Sequence, residues 1–459
     1  MTEQFSFNTS PSSSLPLRTG LAWFLIFATV ALTLISSGNR TAPDNEESSP
    51  RSQNRNPPLQ ILITGKYIVG IHHLLGQNPV FRDNNKPPKQ LLAQLLETHK
   101  KIEDRIMLTP IIAELSGVEE AIFELNRIAK NPGSAIFEQD VNLFLQLYQY
   151  GVSSLSQQQR QSIVENYGWI GRLALIHEFE NSSPERKMVL QSAIRVVILL
   201  LSLIIGIMFS LCVGTVLLVL AVVFKIKGRL QSRFVCPEIP RVLLLEAFAI
   251  YLTAYGALPL LIGWFFPRFR PGAIAISLLG VIVGAFWPKF RGLDWKSYRE
   301  SIGWLRGRGF FREVGAGITG YIAGLPLLAI AAILVSFLSR YTEKTPSHPI
   351  VQELGGNPAV VTALFFLACV WAPIIEETFF RGAIFGYLRG RFKWVISSIV
   401  TSIIFAALHP QGLVAVPLLA MIGFNLCAIR EWRNSLIASM SAHALNNGSV
   451  FLLIILLLR

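Results

Sequence analysis

Two hydrophobic patterns divide the chain. From about Leu59 to Glu180 apolar residues recur every three or four positions, as in P-K-Q-L-L-A-Q-L-L-E-T-H-K-K-I-E-D-R-I (88–106), which predicts amphipathic helices. Further helical pieces are expected at 117–131, 138–150 and 156–168, broken at Pro132 and Gly133 and near Gly151. From residue 193 the polar spacing disappears. Long apolar runs there predict membrane spans at 194–224, 242–266, 271–287, 314–338, 359–388, 394–409, 412–429 and 436–457, of which the runs near 400 and 420 are short. One more run, Gly20–Ser37, lies ahead of the amphipathic region and is long enough to cross once, giving nine spans in all. Arg18 before that run also suits a cleaved leader, but S-S-G-N-R makes only a modest cleavage site, so an anchor is expected.

The pattern therefore predicts an all-α fold: a polytopic membrane helix bundle with a helical extramembrane N-terminal region. Residues 1–18 are Ser/Pro/Asn-rich and expected to be disordered, and 19–37 form the anchor. Residues 38–192 comprise a linker, ending at Pro57 and Pro58, and the helical domain; 193–459 make an eight-span membrane domain.

Composition agrees with a membrane protein. The 459 residues are 52% hydrophobic and only 15% charged, against about 25% charged in soluble domains. The net charge of +13 is unevenly spread: residues 39–192 hold 16 Lys/Arg against 17 Asp/Glu, whereas 193–459 hold 24 against 10. The excess sits in short turns beside spans, where it faces anionic headgroups and sets orientation, so the basic balance does not imply nucleic acid. The clusters at 225–241, 289–312, 389–393 and 430–433 follow alternate spans of the nine, hence lie on one side. That side is expected to be cytoplasmic, with the N-terminus inside and residues 38–192 outside a plasma or thylakoid-type membrane. Cys212, Cys236, Cys369 and Cys427 are too scattered for a disulfide framework or thiolate cluster. His72, His73, His99 and His177 have no metal-ligand spacing and are expected to be packing or surface histidines.

Ionisable groups in hydrocarbon are expensive and mark function by default. The last four spans contain Glu376, Glu377, Arg381, His409, His443 and Asn447. Measured from the basic turns at about 1.5 Å per residue, Glu376 and His409 lie roughly 20 Å and 22 Å into their helices and His443 roughly 15 Å. Three helices thus bring a carboxylate and two imidazoles to comparable depth. Glu377 and Arg381 are i,i+4 with the acid first, the order that pairs best, which leaves Glu376 pointing about 100° away toward the bundle interior and His409. His443 and Asn447 also share a face, while Pro373 disturbs the helix just ahead of the glutamates.

A carboxylate with a neighbouring imidazole is equipped to take a proton from water, and His443 with Asn447 offers donors for an oxyanion. Glu376, His409 and His443 could instead form a zinc set. The absence of an H-E-x-x-H pair and the better fit of Asn447 as donor favour a metal-free site, with zinc the alternative. Purely structural pairing within the bundle, or a transport pathway, would use similar residues; no internal repeat supports the latter.

E-E-T-F-F-R at 376–381 resembles the E-E-x-x-x-R signature of the CAAX-prenyl-protease and bacteriocin-processing family, also called Abi. F-A-A-L-H at 405–409, beginning at Phe405, and H-A-L-N-N at 443–447 resemble its F-x-x-x-H and H-x-x-x-N/D elements. The resemblance covers about 359–457 and implies peptide-bond hydrolysis at the membrane. It implies that Glu376 and His409 activate water, that His443 and Asn447 stabilise the oxyanion, and that Glu377 and Arg381 support them. Members have been described as metalloproteases, and substrates are membrane proteins or peptides, prenylated or bacteriocin-like. A non-proteolytic immunity or interaction protein is the alternative from another class.

Overall fold

The computed structural model describes residues 14–38, 57–76, 86–130, 135–342, 358–409 and 411–458, and their regular structure is helical throughout. The chain divides into two units, 1–42 with 208–454, and 43–207 with 455–459.

The helical unit contains Leu59–Gly76, Lys86–Thr98, Ile102–Ser116, Val118–Ala129, Ala135–Tyr150, Gln157–Leu175 and the start of Pro184–Ile226. Their apolar stripes meet in one core that includes Ile68, Leu108, Ile111, Phe144, Leu147 and Ile170. Gly117, at φ 101°, separates two helices within a single residue, a conformation glycine adopts without steric penalty. Ser156 and Gln159 form a capping box at the start of Gln157–Leu175. That helix runs beyond the expected 168, because Gly168 (φ 55°, ψ −124°) kinks it without ending it. The expected break at Pro132 and Gly133 lies outside the described residues.

The histidines His73, His99 and His177 are fastened to polar neighbours. His73 Nε2 lies 2.7 Å from Glu114 Oε1, which also receives Arg186 Nη2 at 2.6 Å. His99 meets Asp104 at 3.1 Å, and His177 Nδ1 donates to Ala174 O at 2.8 Å. Burial alone would raise the Glu114 carboxyl, but the His73 hydrogen bond and the Arg186 charge outweigh it and hold it below the usual carboxylate range.

Among the described residues, seven helices are long and apolar enough to cross a bilayer, counting Pro184–Ile226, whose later residues belong to the membrane unit. Two expected spans differ from simple crossings. The helix Arg270–Phe290 bends by 120° into Trp295–Ile302, with Gly292 at φ 89° in the corner and Asp294 capping the second helix through Ser297 N. Trp394–Ala407 has 14 residues, about 21 Å long against a hydrocarbon core of about 30 Å.

The first helix, Ser14–Gly38, joins the core of this unit. Ala22, Ile26 and Thr29 are buried, and Arg18 Nε pairs with Glu246 Oε1 at 3.1 Å. Trp287 Nε1 donates to the other oxygen of Glu246 at 2.7 Å, so the carboxylate ties together three helices. Trp23 Nε1 reaches Tyr387 OH at 3.4 Å, and Thr29 packs against Gly256.

Candidate active site

Glu376 and Glu377 occupy Ala372–Glu377, an α-helical stretch inside the apolar helix Pro358–Arg389. It is flanked by two π-helical stretches, Leu367–Trp371 and Thr378–Ile384. Pro373 accounts for the first. It has no N–H and its ring crowds the carbonyl four residues back, so the local helix widens and the Ala372 amide bonds Leu367 O, five residues away. The same device recurs in Thr253–Ala257, where Leu258 N–H bonds Thr253 O just before Pro259. In the second flanking stretch Gly382 lets the helix Trp295–Ile302 close in, because a Cβ there would lie 2.9 Å from Ile302 O.

This backbone sends the two glutamates into different surroundings. The Glu377 side chain is fully buried, as is that of Arg381. Glu377 Oε1 receives Arg381 Nη1 at 2.8 Å and faces His443 Nδ1 at 3.0 Å. Since a carboxylate paired with arginine only accepts, His443 Nδ1 is the donor. The Glu376 side chain is 17% exposed, and its Oε2 is buried without a hydrogen-bond partner, 3.9 Å from His443 Nε2. His443 therefore stands between the carboxylates, one ring nitrogen toward each.

Arg381 is held on three sides. Besides Glu377, its Nη2 donates to Gly423 O at 3.1 Å, and its guanidinium lies 4.7 Å from the centroid of the Phe405 ring. Gly423 itself packs on the short helix Trp394–Ala407, where a Cβ would lie 3.0 Å from Ser402, one of its buried polar residues with Ser397, Ser398 and Thr401. The same Phe405 ring lies 4.3 Å from His409 and 6.1 Å from His443, centroid to centroid. His409 Nδ1 donates to Phe405 O at 2.7 Å, which fixes that nitrogen as the protonated one in the neutral ring and leaves Nε2 as acceptor. His409 lies within electrostatic reach of Glu376, His443 and Arg381.

Asn447 is placed by a different bond. Its Nδ2 donates to Ala368 O at 2.8 Å, a carbonyl within the first π-helical stretch, and its Oδ1 accepts from Asn446 Nδ2 at 3.2 Å. The structure thus joins Glu377, Arg381 and His443 directly and sets Glu376 3.9 Å from His443, with Phe405 supporting three rings or charges. Asn447 touches the glutamate-bearing helix through its backbone. Spacing along one helix reveals the Glu377–Arg381 pair but not the 66-residue separation from His443, nor the imidazole that Glu376 faces at 3.9 Å. It also misses Trp304, whose Nε1 donates to Thr378 Oγ1 at 3.1 Å beside the glutamates; G-W-L-R-G-R-G between spans carries no chemical signal pointing there.

Both imidazoles have Nδ1 engaged by an oxygen, which turns Nε2 outward to a proton or a metal ion. In donor chemistry Glu376, His409 and His443 fit zinc. Among the described residues, no three His, Cys, Asp or Glu side chains are drawn together as a ready ligand group.

Residues 358–449 match the family model described as Type II CAAX prenyl endopeptidase Rce1-like. Over 95 residues the chain is 30% identical to an Escherichia coli protein described as an uncharacterized 24.3 kDa protein, a match covering 19% of this chain and 44% of that relative. No solved structure matches. The family match contains all six polar positions of the site and leaves out the first helix and the helical unit. This membrane segment is thus similar to the Rce1-like CAAX-protease family, and the chain spans less than half the length of the curated relative it matches.

Proposed function

We propose that the chain is an intramembrane endopeptidase hydrolysing peptide bonds of membrane-associated or lipidated proteins and peptides, prenylated or bacteriocin-like ones among them. The observation that carries this reading is the His443 imidazole set between a carboxylate ion-paired to Arg381 and a second one, Glu376, whose Oε2 has no hydrogen-bond partner. At 3.9 Å, Glu376 Oε2 and His443 Nε2 are too far apart for a mutual hydrogen bond, but both can bond one water lying off the line between them. Glu376 takes a proton from that water as its oxygen attacks the scissile carbonyl, with His409 Nε2 as an additional acceptor. Charge developing on the carbonyl oxygen is met by the second N–H of the Asn447 amide, beyond the one bound to Ala368, since the Nδ1–H of His443 is already given to Glu377. The proton then passes to the leaving nitrogen as the C–N bond breaks. Glu377 and Arg381 hold His443 in place throughout.

A second reading, zinc-dependent hydrolysis by the same residues, is favoured by the engaged Nδ1 of both imidazoles. Glu376, His409 and His443 would hold the ion, which when bound lowers the pKa of water and polarises the carbonyl.

The test is cleavage of membrane-anchored peptides by the purified chain, with metal analysis of the same sample. Activity without bound metal supports the glutamate mechanism; stoichiometric zinc whose removal abolishes cleavage transfers the reaction to the second reading. Glu376→Gln and His443→Ala are each expected to abolish turnover, and full turnover by both would sink the proposal. A chain that binds such peptides and never cleaves them is instead a membrane interaction or immunity protein.

A further inference from the structure

Away from the site, the loop after Pro184–Ile226 folds across the end of Leu413–Arg433. Arg233 N and Phe234 N donate to Glu431 O at 3.1 and 3.2 Å, and Ser232 Oγ donates to Glu431 Oε1 at 2.7 Å. Between loop and helix end lies a cleft of about 180 Å³, lined by Arg229, Leu230, Gln231, Ser232, Arg233 and Trp432.

The charges around it do not balance. Glu431 is occupied by Arg389, which meets both its oxygens at 2.9 and 3.0 Å. Glu313 is occupied by Arg433, at 2.9 and 2.6 Å, and by the Arg308 amide at 2.9 Å. The nearby acids are thus consumed, and among the described residues Arg229, Arg233 and Arg308 form no ion pair, all three with exposed side chains. Lost hydration and the like charges of Arg308 and Arg433 pull the Arg233 guanidinium below its usual value, against the opposing pull of Glu313. The cations are crowded together and an anion among them would relieve the repulsion.

Position narrows the class of anion. Arg229 and Arg233 directly follow one apolar helix and Trp432 closes another, which is where headgroups lie and where tryptophan and arginine concentrate. The geometry points to a binding site for the phosphate of an anionic phospholipid headgroup in the cleft between the 229–233 loop and Trp432. A guanidinium fork suits phosphate oxygens, and the cleft has room for one phosphate group.

The purified full chain in phosphatidylcholine nanodiscs, titrated with phosphatidylglycerol, tests this. A saturable rise in Tm is expected, lost in R233Q/R308Q, restored in R233K/R308K, and retained in K289Q/R291Q, which removes equal charge elsewhere. Retention of the rise in R233Q/R308Q, or equal loss in K289Q/R291Q, overturns the site in favour of diffuse charge attraction. A rise with inorganic phosphate at matched ionic strength, without one from phosphatidylglycerol, overturns the lipid in favour of a soluble phosphate. Native mass spectrometry of the wild type needs no variant: one retained phosphatidylglycerol is expected, and retention no greater than that of phosphatidylcholine overturns the proposal.

Discussion

Removing the charge of Glu377 strips the acceptor from two groups at once, the wholly buried Arg381 and the His443 ring. Breaking a buried ion pair by deleting one partner costs about 3–5 kcal/mol, so Glu377→Gln is expected to lower the Tm of the purified chain markedly. Glu376→Gln has no such bond to lose and is expected to melt close to wild type while cleaving nothing. A similar loss of stability in both variants would contradict the division of labour between the two acids. The sequence makes half of this legible. The i,i+4 spacing of Glu377 and Arg381 is a local property, whereas the third partner arrives from a helix far along the chain, and no residue spacing encodes which face of that helix meets the pair.

Helices are the scale at which the sequence is most readable, since three- and four-residue recurrence and apolar runs both report on faces. The details that position the site come from exceptions to regular helix. Pro373→Ala restores the missing amide and removes the ring that widens Leu367–Trp371. Reverting that stretch to α-helix rotates the preceding segment by about one residue, roughly 100°, and carries Ala368 O away from Asn447. The expected outcome is a large drop in cleavage with Tm unchanged or raised, a combination that simple misfolding does not produce. In the helical unit, Glu114 gives a pH dependence of definite sign. A carboxyl held below its ordinary value of 4.5 contributes stability that is fully present above that pH and is lost as pH falls through its folded value. Thermal unfolding followed between pH 6 and 3 should therefore show wild type losing more stability than Glu114→Gln, which has no such charge to protonate. Trp394–Ala407 is the element read least well: its apolar run is plain, but length alone does not tell a crossing helix from one ending at mid-depth beside a turn.

For the whole molecule, charge asymmetry is the most informative sequence property, because it depends on totals and not on contacts. It predicts that the 227–241 loop faces the cytoplasm and residues 38–192 the opposite side. Cys236 on that loop is exposed, so it should react with a membrane-impermeant maleimide only after permeabilisation, whereas a cysteine introduced as Ser182→Cys should react in intact cells. The reverse pattern inverts the topology. What totals could not convey is that the first helix belongs to the bundle core, bound through Trp23 to Tyr387, 364 positions later. Ribosomes add about 5–20 residues per second, so the first helix waits roughly 20–70 s in the lipid before that partner is made. For the earlier part of this interval, until Glu246 and Gly256 are made, Arg18 and Thr29 have only lipid, water or the insertion machinery for company. Slowing or pausing translation before residue 250 therefore lengthens the period in which the first helix is most exposed to extraction and proteolysis.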